Sequence, residues 1–114
     1  MKKKRERGNF LDKIPSRKEG IGWNTDENGI VTLEIENKGL FNFFAQKFFK
    51  KPRISYVHLD EMGSFVWPLL DGKTDVTELG KRVDEHFGEK AQPLYERLAK
   101  YFMILESYGF IVLS

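Results

Sequence analysis

Two histidines, a scatter of carboxylates and a few hydroxyls are the residues in this 114-residue chain that could do covalent or metal chemistry. Their spacing supports none of it. His58 and His86 fall on different expected elements, and neither is grouped with carboxylates at ligand spacing, so each reads as structural or exposed. Asp60, Glu61, Asp71 and Asp75 sit where helices are expected to begin or end, and capping accounts for them without general acid-base work. Ser55 and Ser64 lack the flanking pattern of a nucleophile, and Gly63, Gly72 and Gly80 build no phosphate-cradling loop. The chain has no cysteine, which removes disulfides, thiolate catalysis and the ordinary zinc site. No catalytic residue, metal or cofactor is assigned, and binding or scaffolding becomes the expected role.

The stretch 53–72 shows which elements would position a binding surface. From Arg53 to Leu59 the residues alternate with period two, Ile54, Tyr56 and His58 on one face and Ser55, Val57 and Leu59 on the other. At Asp60 the period changes, with Met62, Phe65, Val66, Leu69 and Leu70 at helical spacing, Asp60 as cap and Asp71-Gly72 as stop. A strand is therefore expected to run directly into a helix. Apolar residues on both strand faces make it either central in a sheet or an edge open to a partner.

Ahead of it, residues 1–18 are polar, charged and broken by Gly8 and Pro15, and read as a disordered basic tail. Residues 19–114 are expected to form the folded domain. Ile21 and Trp23, then Val31, Leu33 and Ile35, mark two antiparallel strands, each with one apolar and one polar face, joined through Asn28-Gly29. Between the second strand and the Arg53 strand, Phe41, Phe43, Phe44, Phe48 and Phe49 crowd a lysine-rich segment, 40–51, that Pro52 closes. It reads as an extra short helix packed over the sheet; the rival reading is an amphipathic element that meets a membrane or a partner.

After the first helix, Asp75 and Glu78 form a capping-box pattern, Val76, Leu79, Val83 and Phe87 a narrow apolar stripe, and Gly88 a terminator. The last helix is expected from about Ala91 to Tyr108, with Pro93 in its first turn and Gly109 as stop. Its stripe Leu94, Leu98, Phe102 and Leu105 is flanked by Tyr95, Tyr101, Met103, Ile104 and Tyr108. That arc is wider than one neighbour covers. Either two neighbours close it, or one tyrosine-rich flank stays open for a peptide. Phe110 to Leu113 is expected to pack back on the body.

The net charge of +2 hides an asymmetry. Residues 1–7 hold five of the basic residues and one acidic residue, which leaves 14 basic against 16 acidic in the remainder. A slightly acidic body is a poor phosphate-neutralising surface, so no nucleic-acid partner is expected. No apolar run approaches the roughly 18 residues of a membrane span, and no signal-peptide core follows the basic start. A soluble, cytoplasmic protein is the expectation.

Two strands, a third passing without a loop into L-D-E-M-G-S-F-V-W-P-L-L-D-G-K-T-D-V-T-E-L, a second helix and a third ending in Y-G-F: this ordered series resembles the PqqD-like family over roughly residues 19–112. The resemblance implies an α+β, winged-helix-like domain, a three-stranded antiparallel sheet followed by three helices. It further implies a non-catalytic peptide chaperone, a recognition element for ribosomally made natural products. Such a protein binds the leader of a precursor peptide by strand addition and presents it to a modifying enzyme, often a radical S-adenosylmethionine enzyme. By position, the leader site falls on Arg53, Ile54, Ser55, Tyr56, Val57, His58 and Leu59 of the strand. Across from it stand Leu94, Leu98, Tyr101, Phe102 and Leu105 of the last helix. The Phe-rich 40–51 segment departs from the family pattern as an insertion. A winged-helix DNA-binding regulator is the alternative, membrane or partner docking through 40–51 is a third, and an edge strand also permits a homodimer.

Overall fold

Asp26 organises the first turn. Its carboxylate accepts hydrogen bonds from the Asn28 and Ile30 amides at 2.8 and 3.0 Å, and Gly29 takes the left-handed φ of 83° that closes the hairpin. A computed structural model describes residues 10–36 and 54–114 of the chain. The expectations for Arg53, the basic cluster before Phe10 and the Phe-rich 40–51 helix lie outside the described residues.

The hairpin strands are β2 (Gly22–Thr25) and β3 (Val31–Glu36), with β1 (Pro15–Arg17) preceding them and β4 (Ile54–His58) following. Three antiparallel strands are ordered β2-β3-β4, so among the described residues β3 is central and β4 is an edge. Val31 and Leu33 of β3 are fully buried while Thr32 and Glu34 face outward, which is the alternation its sequence carries. The apolar face expected from Ile21 and Trp23 is only partly covered: Ile21, just ahead of β2, packs half-buried on the core, while the four residues of β2 are exposed. Trp23 meets the core edge-on at the buried Trp67, their ring centroids 6.4 Å apart.

Helix α1 (Glu61–Val66) continues into a 3-10 turn, Trp67–Leu69, where Pro68 ends regular hydrogen bonding. Helix α2 (Val76–Phe87) starts on Asp75, whose carboxylate accepts from the Glu78 amide, and ends on Gly88. Helix α3 (Leu94–Ser107) begins three residues later than its sequence suggests, because Gly88–Ala91 is a separate 3-10 turn and Pro93 stands at the N-cap. Its end is closed by Gly109 at φ 79°, with the Phe110 amide bonded to the Leu105 carbonyl and the Gly109 amide to that of Glu106. The core lies between sheet and helices, built on Trp67, Phe102, Leu33, Leu70, Leu79 and Leu98.

The tail expectation is corrected over residues 10–18. Phe10–Asp12 is a 3-10 turn, and β1 pairs antiparallel with β5 (Ile111–Leu113), the strand formed by the C-terminal apolar stretch. Pro15 is fully buried, and main-chain bonds tie Ile14 to Ser114, Gly72 to Pro15 and Val76 to Lys13. Main-chain bonds hold this segment together with two apolar anchors, Phe10 against Phe102 and the buried Pro15, too few positions to give its polar sequence a period.

Candidate functional site

The outer edge of β4 and one flank of α3 face each other across a groove of about 670 Å³. Val57, His58 and Leu59 form one wall, continued by Asp60 and Met62 at the start of α1. Arg97, Lys100, Tyr101, Ile104 and Tyr108 form the other, with Leu105 and Phe110 closing it at the core side. Residues 97, 101, 104 and 108 recur at intervals of four, three and four, one continuous face of the helix.

The two walls meet at Tyr101. Its hydroxyl donates to the Gly63 carbonyl at 2.9 Å, and a Cβ on Gly63 would stand 2.8 Å from the Tyr101 ring. Glycine at 63 is what lets α1 and α3 approach this closely. Asp60 stands beside the same contact, its carboxylate accepting the Gly63 amide at 2.7 Å as the cap of α1. Burial pushes the Tyr101 phenol well above the ordinary tyrosine range, and the negative Asp60 carboxylate adds to the shift. Tyr101 is thus a neutral, fixed hydrogen-bond donor at the groove floor.

The pairing of β4 with β3 determines which backbone groups point into the open edge. Thr32 stands opposite His58 and Leu33 opposite Val57, and the Leu59 amide donates to the Val31 carbonyl at 2.9 Å. In an antiparallel ladder hydrogen-bonded pairs alternate with non-bonded ones, so Leu59, Val57 and Ser55 direct their main-chain groups at β3. The amides and carbonyls of Ile54, Tyr56 and His58 then point outward, three donor and acceptor sets on one edge. Among the described residues no strand pairs with that edge. The side chains of Tyr56 and Ile54 are exposed beside it, and the Thr32 hydroxyl and His58 Nδ1 lie 2.7 Å apart across the outer sheet face.

Of the residues expected at a peptide site, Val57, His58, Leu59, Tyr101 and Leu105 line the groove, and Ile54, Ser55 and Tyr56 extend its strand wall. Leu94, Leu98 and Phe102 do not line it: they are buried in the core on the neighbouring face of α3. Asp60, Met62, Arg97, Lys100 and Phe110 also line the groove without having been expected there, while Ile104 and Tyr108 belong to the flanks of which the sequence leaves one open for a peptide. The signal was present in the over-wide arc of the last helix, where a second stripe at 97, 101, 104 and 108 runs beside the core stripe.

Among the described residues no group of His, Asp or Glu side chains could hold a metal ion, and no helix is long and apolar enough to cross a membrane. The family model for coenzyme PQQ synthesis protein D (PqqD) matches residues 30–111, a span that includes both walls of the groove. The chain belongs to the PqqD family. PqqD proteins are non-catalytic accessory proteins in the biosynthesis of PQQ and other ribosomally made natural products. They bind a precursor peptide and work with modifying enzymes. No curated protein and no solved structure matches the chain.

Proposed function

We propose that this PqqD-family chain binds the leader of a ribosomally made precursor peptide as a fourth strand along β4 and presents the peptide to a modifying enzyme in the cytoplasm. A radical S-adenosylmethionine enzyme is the partner class the family resemblance favours. The observation that carries the reading is the outward set of main-chain groups on Ile54, Tyr56 and His58 beside an apolar groove. Main-chain hydrogen bonds supply affinity to any extended peptide, and alternate side chains entering the groove supply selectivity. Nothing in this reading requires catalysis by the chain itself.

The test is a backbone-amide NMR titration with synthetic leader peptides encoded near the gene. Saturable shifts at 54–59 and along 97–108, reduced by N-methylation of alternate peptide amides, are the expected result. Shifts confined to other surfaces would remove the reading. A concentration-dependent shift of the same amides without peptide, with dimer seen by sedimentation, would instead assign the edge to a second copy of the chain.

A further inference from the structure

The groove is not uniformly apolar along its length. Arg97 and Lys100 stand on the first half of its helical wall, whereas Ile104 and Tyr108 stand on the second half, Tyr108 stacked on Phe110 with centroids 5.6 Å apart. The acid among its lining residues, Asp60, has its carboxylate engaged by the Gly63 amide. Neither Arg97 nor Lys100 is paired with a carboxylate among the described residues. Arg97 donates one N–H to the Lys90 carbonyl at 2.7 Å, which fixes its guanidinium and leaves its remaining donors unclaimed. A peptide that filled this end with a neutral side chain would strip water from two cations and return nothing; a basic one would add repulsion.

Resting on the strand-addition reading above, we propose that the groove selects peptides carrying an acidic side chain four residues from an apolar or aromatic one. The acid meets Lys100 and Arg97, and the apolar residue packs on Ile104 and Tyr108. For a peptide strand laid along α3 the helix sets the spacing: Lys100 and Tyr108 are separated by about 12 Å along a helix rising about 1.5 Å per residue. An extended peptide covers that distance in three to four residues at about 3.3 Å each. Only an even separation puts both side chains on the groove face, which leaves four.

Fluorescence anisotropy of the full chain with capped, labelled dodecapeptides tests this. A serine-threonine host carries one phenylalanine and, four residues away on either side, aspartate, asparagine or lysine; a further peptide places the aspartate at five. The aspartate-at-four peptide should bind about fivefold tighter than the asparagine one, in the range of a partly exposed ion pair, and the lysine peptide weakest. Lys100 is exposed, so Lys100→Glu should keep its amide spectrum and reverse the order of aspartate and lysine. Equal binding of all peptides with the groove amides still shifting would overturn the acidic preference and leave strand addition standing. So would an aspartate preference that ignores spacing or survives Lys100→Glu unchanged. If no peptide moves the groove amides at millimolar concentration, the preference and the leader reading fall together.

Discussion

Helix α3 carries two apolar stripes about a quarter-turn apart, and they differ in what covers them. Leu94, Leu98 and Phe102 are closed over by the other helices and by β5, with Leu98 and Phe102 at 0% exposure. Ile104 and Tyr108, on the neighbouring stripe, keep 49% and 69% of their surface open. Apolar character does not separate the two, since a branched aliphatic side chain and an aromatic ring occur on both. What separates them is backbone. On the groove side α3 touches α1 closely at Gly63, and across the groove from it stands the outer edge of β4, unpaired by any described strand. One stripe therefore contributes stability, and the other is available for recognition at little cost to the fold.

The sharpest way to break that division is Phe102→Ala. A fully buried phenylalanine, tilted against Phe10 and Tyr101, leaves a large cavity when truncated, and a loss of about 3–5 kcal/mol is expected from urea denaturation. Peptide affinity of the molecules that remain folded should hardly change. Loss of binding in a variant whose stability was intact would show that the two stripes are not independent.

Much of the framework was legible because local chemistry and the final packing agree. Asp60, Asp75, Gly88 and Gly109 do in the structure what their positions in the sequence suggest. The period-two strand running into a helix is likewise β4 and α1. The site was read less well, for a physical reason. A wide arc such as that of α3 says that two neighbours are needed, but periodicity does not say which flank is left without one. Periodicity marks Leu94, Leu98, Phe102 and Leu105 as the core stripe, and the placement of Leu94, Leu98 and Phe102 at the groove comes from matching the family by position; the structure keeps those three in the core. Residues 10–18 are hard to read for the complementary reason: main-chain pairing of β1 with β5 does much of the holding, and the apolar anchors Phe10 and Pro15 are too few to make a period.

Tyr101 stands where the two stripes meet, and Tyr101→Phe measures that junction. The Gly63 carbonyl also accepts the Trp67 amide, so losing the hydroxyl should cost only about 1 kcal/mol at neutral pH. The pH dependence carries more information. The folded phenol has a pKa raised above the ordinary value of 10.0, by burial first and by Asp60 second. Between the unfolded and folded values the native state holds the proton that the unfolded chain has lost, so stability falls as pH rises above about 10. Wild-type protein should lose stability across that range faster than Tyr101→Phe, by denaturant midpoints at pH 9 and pH 11. Parallel curves would mean that the hydroxyl is not enclosed between the helices.

Ile104→Ser has the smallest expected effect on the fold and tests the open stripe most directly. Half of the isoleucine surface already meets water, so its removal should change stability by less than about 0.5 kcal/mol. If Ile104 is covered only when a peptide enters, the lost burial appears in the complex alone. Removing a partly buried apolar side chain at about 25 cal/mol per Å² predicts a loss of roughly 1 kcal/mol in binding. Anisotropy titration of the same phenylalanine-containing peptide should therefore weaken several-fold while the urea midpoint stays put. The opposite result, a shifted midpoint with unchanged affinity, would place Ile104 under some part of the chain itself and make the groove a seam of the fold.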